Sequence, residues 1–130
     1  MAGRLETGRR LYTALQAGDA AVLRELLAEE FVGHLTAGLP KGFGRTYEDL
    51  ESMLRGWGAV NRLFRMVPEI DLMLEAGDYL VVRGWYVGQV TTTSKPMRAS
   101  FAHFWRFNDE RIVSLEQVTD SAVWHDALRT

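Results

Sequence analysis

Residues 98–120 read RASFAHFWRFNDERIVSLEQVTD and decide the fold, because they form two predicted strands that meet at residues 108–110. Side chains along a strand point alternately to the two faces of a sheet. One face of this hairpin therefore collects mostly large, apolar residues, namely Phe101, His103, Trp105, Phe107, Val113, Leu115, Gln117 and Thr119. Such a one-sided pattern predicts a sheet that packs against a core on this face.

The pairing of the two strands depends on the length of their turn. With a three-residue loop, the predicted pairs are Phe107 with Arg111, His103 with Leu115, and Phe101 with Gln117. A two-residue turn would instead bring Glu116 onto the face of His103 and mix polar and apolar residues on both faces. We predict the three-residue loop because it yields one apolar face, whereas a slip of one residue would move every side chain to the other face.

Two polar residues, His103 and Gln117, stand among the aromatic rings of the apolar face. They are either core residues with internal hydrogen-bond partners or the polar handles of a ligand pocket. We predict a pocket role for His103, because its ring can act as acid, base or hydrogen-bond donor near neutral pH. For Gln117, a ligand handle and a structural amide are both open.

Length and composition predict one globular domain over residues 1–130, since 47% of the residues are hydrophobic and 11% are aromatic. No apolar run is long enough for a membrane span, no secretion leader is recognisable, and the sequence has no cysteine. A cytoplasmic protein without disulfides or thiolate metal sites is therefore expected. The net charge of −2 and the scattered arginines argue against a nucleic-acid partner.

Three helices are predicted in the first half of the chain. They cover residues 4–17, residues 20–30 and a segment that begins near Thr46. Gly18 is expected to stop the first helix, and Asp19 is expected to be the N-cap of the second. Thr46 and Asp49 resemble a capping box at the start of the third helix.

Strands are predicted for most of the remaining chain. They cover residues 31–35, 63–75 with an interruption at Pro68, 79–92, 98–107 and 111–119, before a short helix from Ser121. The glycine-rich residues 36–45 are expected to form a loop over an opening. The predicted fold is α+β: a cone-shaped, strongly curved antiparallel sheet with three N-terminal helices on one face. Such a cone encloses a pocket suited to a small hydrophobic molecule.

Four short motifs occur in a characteristic order. They are LQAGD at 15–19, LAEEFVGH at 27–34, AGDYLVVR at 76–83 and HFWRFNDERI at 103–112. Over nearly the whole chain, this order resembles the SnoaL-like polyketide cyclase branch of the nuclear transport factor 2-like superfamily, which has the ketosteroid isomerase-like fold. The superfamily includes cyclases, isomerases, epoxide hydrolases and non-catalytic binding proteins, so the fold alone does not fix a reaction.

The resemblance also implies roles for single positions. His103 matches a position where the cyclases carry a histidine and ketosteroid isomerases an oxyanion-binding aspartic acid. Gln117 matches an essential aspartate of cyclases and epoxide hydrolases, and Leu35 matches the catalytic base of ketosteroid isomerases. Arg83 resembles the arginine of the epoxide hydrolases, whose aspartate two residues later is Trp85 here. The three positions that hold an acidic base in these relatives are occupied here by Leu35, Trp85 and Gln117, whose side chains cannot act as a base at neutral pH.

Several other residues are site candidates with a structural alternative. His34 is the remaining base candidate, unless it is a surface histidine. Tyr12 points its hydroxyl into the cavity or is a buried tyrosine with a solvated tip. Asp120 is interpreted as a helix N-cap rather than a base. The expected core or pocket-wall residues are Trp57, Trp85, Tyr86, Phe101, Trp105 and Leu115.

Two further expectations concern metals and the hairpin turn. The three histidines, His34, His103 and His125, show no metal-ligand spacing, so no metal is predicted. Glu110 stands where the related proteins usually have the glycine of the hairpin turn. A glutamate with positive φ is therefore expected at this position, at some steric cost.

The resemblance implies a SnoaL-like enzyme without a cofactor. Its expected reaction is acid–base proton transfer, as aldol cyclisation or isomerisation, on a hydrophobic, polyketide-like or polycyclic substrate. His103 and Gln117 would polarise a carbonyl or stabilise an enolate oxygen, and the base would be His34, a water or His103. The absent carboxylates favour the alternative of a non-catalytic ligand-binding or dimeric interaction module, and disfavour an epoxide hydrolase. The mixed outer sheet face, with Phe104 and Val118, predicts a homodimer.

Overall fold

The computed structural model describes residues 3–130 and contains four α helices and six strands in that range. The elements are α1 (Arg4–Ala17), α2 (Ala20–Leu26), β1 (Leu27–His34), β2 (Thr46–Tyr47), α3 (Leu50–Leu63), β3 (Phe64–Ala76), β4 (Tyr79–Val90), β5 (Pro96–Asn108), β6 (Arg111–Thr119) and α4 (Ser121–Ala127). A 3₁₀ turn, Pro40–Gly42, lies in the loop between β1 and β2.

The six strands form one curled, unclosed sheet in the order β2-β1-β6-β5-β4-β3. The helices pack on its concave side, so the predicted α+β fold with an enclosed pocket is confirmed. One strand pair differs from the antiparallel prediction, because β1 runs parallel to β6. This pairing places β6 in the interior of the sheet, between the first long strand of the chain and β5.

The hairpin of β5 and β6 has the predicted inner face but not the predicted pairs. His103 lies opposite Gln117, Phe101 opposite Thr119, and Trp105 opposite Leu115. The turn is the shorter one, since Asn108 pairs with Arg111, and a bulge between Arg106 and Phe107 then shifts the register. The bulge restores the odd-numbered face of β6 to the core, although Ile112 rather than Val113 is the buried residue beside the turn.

The left-handed residue of this turn is Asp109, with φ 56°, and not Glu110 as expected. Aspartate adopts this conformation more readily than glutamate, because its short polar side chain can bond to the local backbone. The steric cost predicted for Glu110 therefore falls on a residue type that tolerates it better.

Two helix boundaries also differ from the sequence prediction. The second helix ends at Leu26 and not at residue 30, because residue Leu27 already begins the strand that pairs with β6. Tertiary pairing here outweighs the helix propensity of the segment Leu-Ala-Glu-Glu. At α3, Asp49 is the N-cap and its capping-box partner is Ser52, whereas Thr46 belongs to β2.

The strand β3 forms one edge of the sheet and continues through Pro68, where an interruption was predicted. An edge strand tolerates proline, because one of its sides lacks a hydrogen-bonding neighbour. Asp120 is the N-cap of α4 as predicted, but its side chain makes no capping hydrogen bond. Within residues 3–130, no helix combines the length and the apolar character needed to cross a membrane.

Candidate functional site

A cavity of about 230 Å³ lies between the concave sheet face and helices α1, α2 and α3. Most of its wall is aliphatic or aromatic, and its polar side chains are those of Tyr12, Gln16, Asn61, Tyr86, His103 and Gln117. None of the residues that line it is Asp, Glu, Lys or Arg. A site of this composition favours an uncharged, largely apolar ligand, because no charged group in the wall compensates the desolvation of an ion.

His103 occupies the middle of the polar part of the wall. Strand alternation on β5 directs it inward, and its side chain is buried with 5% exposure. The Tyr12 hydroxyl lies 2.5 Å from Nδ1, and the Tyr86 hydroxyl lies 2.5 Å from Nε2. The Phe101 ring stacks on the imidazole with centroids 4.1 Å apart. Both ring nitrogens are therefore occupied by tyrosines, and neither faces the cavity as a free base.

Each tyrosine is held in turn by a side chain that only donates to it. The Trp105 indole Nε1 donates to the Tyr12 hydroxyl at 2.8 Å, and the Gln117 amide Nε2 donates to the Tyr86 hydroxyl at 2.8 Å. The result is a buried chain of hydrogen bonds in the order Trp105, Tyr12, His103, Tyr86, Gln117. Satisfied networks of this kind hold their members in one geometry.

Gln117 is fixed by the loop that follows β1. The backbone N–H of Thr36 donates to Gln117 Oε1 at 3.1 Å, which identifies the nitrogen that faces Tyr86. The Thr36 hydroxyl donates to the backbone oxygen of Gln117 at 2.9 Å and accepts from Thr119 N at 3.1 Å. The amide oxygen thus has a structural contact with Thr36, while the amide nitrogen bonds to Tyr86 at the cavity wall.

Burial sets the protonation states of the three titratable groups in the wall. It lowers the pKa of His103 from 6.5 to about 3, so the imidazole is neutral at neutral pH. Burial also raises the pKa of Tyr12 and of Tyr86 well above 10, and the phenols keep their protons. The site therefore presents neutral hydrogen-bonding groups, and it supplies donors more readily than it supplies a strong base.

The structure brings together most of the predicted pocket residues. Tyr12, Trp57, Trp105, Leu115, His103 and Gln117 all line the cavity. Phe101 is buried behind His103. Leu35, at the position of the missing base, is also part of the wall.

Three predicted site residues lie away from the cavity. Arg83 is exposed on the convex sheet face, where it pairs with Asp71 at 3.0 Å. Trp85 lies on the same face under the Arg98 guanidinium, 3.8 Å from the ring centroid. His34 is exposed, and its Nδ1 bonds to the Thr46 hydroxyl at 3.0 Å. A direct contact of any of these three side chains with a ligand in this cavity has no geometric support.

The sequence interpretation placed Tyr86 in the core or pocket wall without a hydrogen-bonding role, and it did not mention Thr36. The signal for Tyr86 was present in the alternation of β4, where Leu80, Val82 and Tyr86 are buried and Arg83 and Trp85 point outward. Nothing local marked Thr36, because its contacts come from β6, far along the chain. Among residues 3–130, no three His, Asp or Glu side chains cluster as metal ligands.

This combination of a curled sheet, covering helices and an apolar cavity with an internal polar wall defines a small-molecule pocket domain. The family model of the SnoaL-like domain matches residues 8–115. The chain therefore belongs to the SnoaL-like family, within the nuclear transport factor 2-like superfamily. None of the curated proteins compared matches the chain significantly.

Solved structures with the same fold cover almost the whole chain. Wild-type IdmH from Streptomyces antibioticus, a candidate polyketide cyclase, is 25% identical, with a TM-score of 0.83 over 98% of this chain and 99% of IdmH. An NTF2-like protein from Burkholderia thailandensis is 24% identical, with a TM-score of 0.89 and full coverage of both chains. TerC, co-crystallised with polyporic acid, is 19% identical, with a TM-score of 0.85 over 97% of this chain and 98% of TerC. The last two establish likeness of fold.

Proposed function

We propose that the protein is a cofactor-independent SnoaL-like enzyme that moves protons on a hydrophobic, polyketide-like substrate, by aldol cyclisation or isomerisation. The observation that carries this proposal is the buried chain Trp105–Tyr12–His103–Tyr86–Gln117 on the wall of an apolar cavity. Such a wall offers hydrogen-bond donors to an oxygen on which negative charge develops. The likeness to IdmH, a candidate polyketide cyclase, supports the same substrate class.

The groups that would touch the substrate are the two tyrosine hydroxyls, because they cover both nitrogens of His103. One tyrosine accepts a proton from the substrate carbon while its own hydroxyl proton moves to the bare nitrogen of His103. The opposite ring nitrogen passes its proton to the second tyrosine, whose hydroxyl proton moves to the substrate oxygen. The keto form becomes the enol, and the network returns to neutrality with the imidazole in its other tautomer.

This cycle suits the electrostatics of the site. An imidazolium is disfavoured here, since burial lowers the pKa of His103 to about 3, and a concerted transfer avoids forming one. The residues of the cavity wall include no carboxylate that could remove the proton instead. The site therefore suits substrates whose carbon acid is activated by an adjacent carbonyl group, as in polyketides.

The proposal is tested by proton exchange, which needs no knowledge of the natural substrate. 1-Tetralone is incubated with the protein in D₂O. Exchange is followed by proton NMR as loss of the signal from the hydrogens on the carbon next to the carbonyl group. We expect faster exchange than in buffer alone. Tyr12→Phe and Tyr86→Phe should each lower the protein-dependent rate by about 10²-fold, the usual scale for a lost acid or base.

A matched control is Tyr79→Phe, because Tyr79 is 41% exposed and lies outside the cavity wall. This variant should exchange the ketone at the wild-type rate. Equal rates in wild type, Tyr12→Phe and Tyr86→Phe would refute the catalytic role of the wall.

A second candidate function is non-catalytic binding of a hydrophobic metabolite. The observation in its favour is that the cavity wall has no Asp, Glu, Lys or Arg, and that its histidine is neutral. The same experiment separates the two functions: a binder would retain 1-tetralone without accelerating the exchange. His34, which is exposed, has no part in either proposal.

We also propose that the protein forms a homodimer through the convex sheet face. Large apolar side chains on this face remain exposed, namely Val67, Leu72, Leu74 and Val118. Val118 is the most exposed of them, at 52%, and it lies on a central strand. Apolar residues interspersed with charged ones on one face suit a specific protein interface. The cytoplasmic location stays a prediction, supported by the cysteine-free sequence.

A further inference from the structure

The hydrogen atoms of the chain Trp105–Tyr12–His103–Tyr86–Gln117 can be counted, because the hydrogen bonds at its two ends have a fixed direction. The Trp105 indole and the Gln117 amide nitrogen are donors only. The Tyr12 oxygen therefore accepts one hydrogen bond from Trp105, and the Tyr86 oxygen accepts one from Gln117. A neutral imidazole has one N–H and one bare nitrogen. The contacts at Nδ1 and Nε2, both 2.5 Å long, must therefore run in opposite senses.

Two arrangements satisfy this condition. In the first, Tyr12 donates to bare Nδ1 and Nε2–H donates to the Tyr86 oxygen, which leaves the Tyr86 hydroxyl hydrogen free. In the second, Tyr86 donates to bare Nε2 and Nδ1–H donates to the Tyr12 oxygen, which leaves the Tyr12 hydroxyl hydrogen free. In each arrangement one tyrosine hydrogen, and only one, is available to the cavity. The low pKa of His103 keeps the doubly protonated ring, which would free both hydrogens, unpopulated at neutral pH.

The wall near Tyr86 contains one more donor. Gln117 Nε2 carries two hydrogens, and one of them goes to the Tyr86 hydroxyl at 2.8 Å. The second has no acceptor among the residues that the structure describes, and Gln117 lines the cavity. An oxygen of a ligand beside Tyr86 therefore meets two neutral donors, and no charged partner.

The volume of the cavity limits the size of the ligand. A cavity of about 150 Å³ holds a benzene molecule. The cavity here, at about 230 Å³, is larger by roughly one further small ring or short substituent. Its three tryptophans, Trp57, Trp105 and Trp124, give flat surfaces for such a ring system.

We propose that the cavity selects an uncharged ligand of one or two rings with a carbonyl-type oxygen, and that this oxygen takes the single free tyrosine hydrogen, which the tautomer of His103 assigns to Tyr12 or Tyr86. The donor is therefore interchangeable: removal of one tyrosine leaves the other able to serve. The inference rests on the proposed function in taking the same cavity as the ligand site. Its test measures binding alone, so a failure of catalysis and a failure of this selectivity are separate outcomes.

The test compares two probes of nearly equal shape, 1-tetralone and tetralin, which differ by the carbonyl oxygen. Dissociation constants are measured by NMR titration at pH 7.5, and the ratio of the tetralin constant to the 1-tetralone constant is calculated for each variant. Tyr12→Phe and Tyr86→Phe should each keep the wild-type ratio within about threefold. The double variant keeps the Gln117 amide as a donor but loses both tyrosine hydrogens, so its ratio should fall by at least about fivefold.

Three results would overturn the proposal. The first is a ratio lost completely in one single variant, which would mean one fixed donor. The second is a ratio unchanged in the double variant, which would mean that no tyrosine donates. The third is 2-naphthoate binding as tightly as 1-tetralone, since an anion should bind at least about tenfold more weakly in a wall without cations. Tyr79→Phe serves again as the control and should leave the ratio unchanged.

A second measurement uses only the single variants, in case the double variant does not fold. The nitrogen chemical shifts of ¹⁵N-labelled His103 report which ring nitrogen carries the proton. With 1-tetralone bound, Tyr12→Phe should place the proton on Nε2, because Tyr86 is then the donor to the ligand. Tyr86→Phe should place it on Nδ1. The same tautomer in both variants would contradict the proposed exchange of donors.

Discussion

The buried imidazole of His103 makes a quantitative prediction about stability and pH. Its pKa is about 3 in the folded protein and 6.5 as the ordinary value, so the unfolded chain binds one more proton than the folded protein between these limits. The free energy of unfolding therefore falls as the pH falls below 6.5. One proton contributes at most 1.36 kcal/mol per pH unit, which gives a loss of about 2 kcal/mol between pH 6.5 and 4.5.

Urea denaturation of wild type and His103→Gln at pH 7.5, 6.5, 5.5 and 4.5 measures this loss. The variant should be the less stable protein at pH 7.5, because it disturbs the hydrogen bonds of two tyrosines. The difference between the two proteins should then shrink by about 2 kcal/mol on acidification. The result does not depend on the exact folded pKa, since any value below about 4 gives nearly the same slope in this range.

The matched control is Phe101→Leu, which disturbs packing against the same imidazole but removes no titrating group. Its unfolding free energy should run parallel to that of wild type across the pH range. If the difference between wild type and His103→Gln stays constant with pH, His103 is protonated alike in the folded and unfolded states. The assignment of His103 as a neutral imidazole that passes a proton between Tyr12 and Tyr86 would then be wrong.

Three further predictions concern other parts of the molecule. Gln117→Leu leaves the Thr36 N–H without its acceptor and should lower the free energy of unfolding by about 1–3 kcal/mol in urea denaturation. The control Gln89→Leu, at a half-buried position, should change it by less than about 0.5 kcal/mol. Asp109→Ala should be less stable than Asp109→Gly by about 1 kcal/mol, because φ is 56° at this position; equal stabilities would exclude strain there. Val118→Lys should convert the proposed dimer to a monomer in sedimentation at micromolar concentration, while the exposed control Thr91→Lys stays dimeric; a monomeric wild type would contradict the dimer.

The sequence was sufficient for the parts of the fold that depend on local periodicity. The first helix, the last strand and the inward face of the β5–β6 hairpin follow from alternation and helical spacing, and the structure has them. The sequence was insufficient where distant pairing decides. Residues 27–30 favour a helix locally but belong to β1, which pairs with β6 through Leu27 and residues 32–34. The bulge beside Phe107 compensates a shorter turn. Turn length and bulge have opposite effects on the register, so the face was predictable while the pairs were not.

The candidate site shows the same division. His103 and Gln117 were found because both are polar residues on an otherwise apolar strand face. Arg83 was placed in the pocket by family resemblance and Trp85 as an aromatic core or wall residue, although their odd positions on β4 direct them to the convex face. Tyr86, on the even positions of the same strand, reaches His103 instead. The protonation of the wall could not be predicted, because it depends on the complete burial of three groups from three different elements.

The parallel pairing of β1 with β6 has a consequence for the order of folding. Leu27 pairs with Ile112 and Gly33 with Leu115, so the first long strand of the chain must wait for the last one before it has a neighbour on that side. Closing so long a loop is slow, because its entropy is lost before the contacts form. During synthesis β1 therefore leaves the ribosome with this edge unpaired and open to aggregation. The contact of Thr36 with Gln117 closes the same loop, so the binding wall is expected to be among the last features to form.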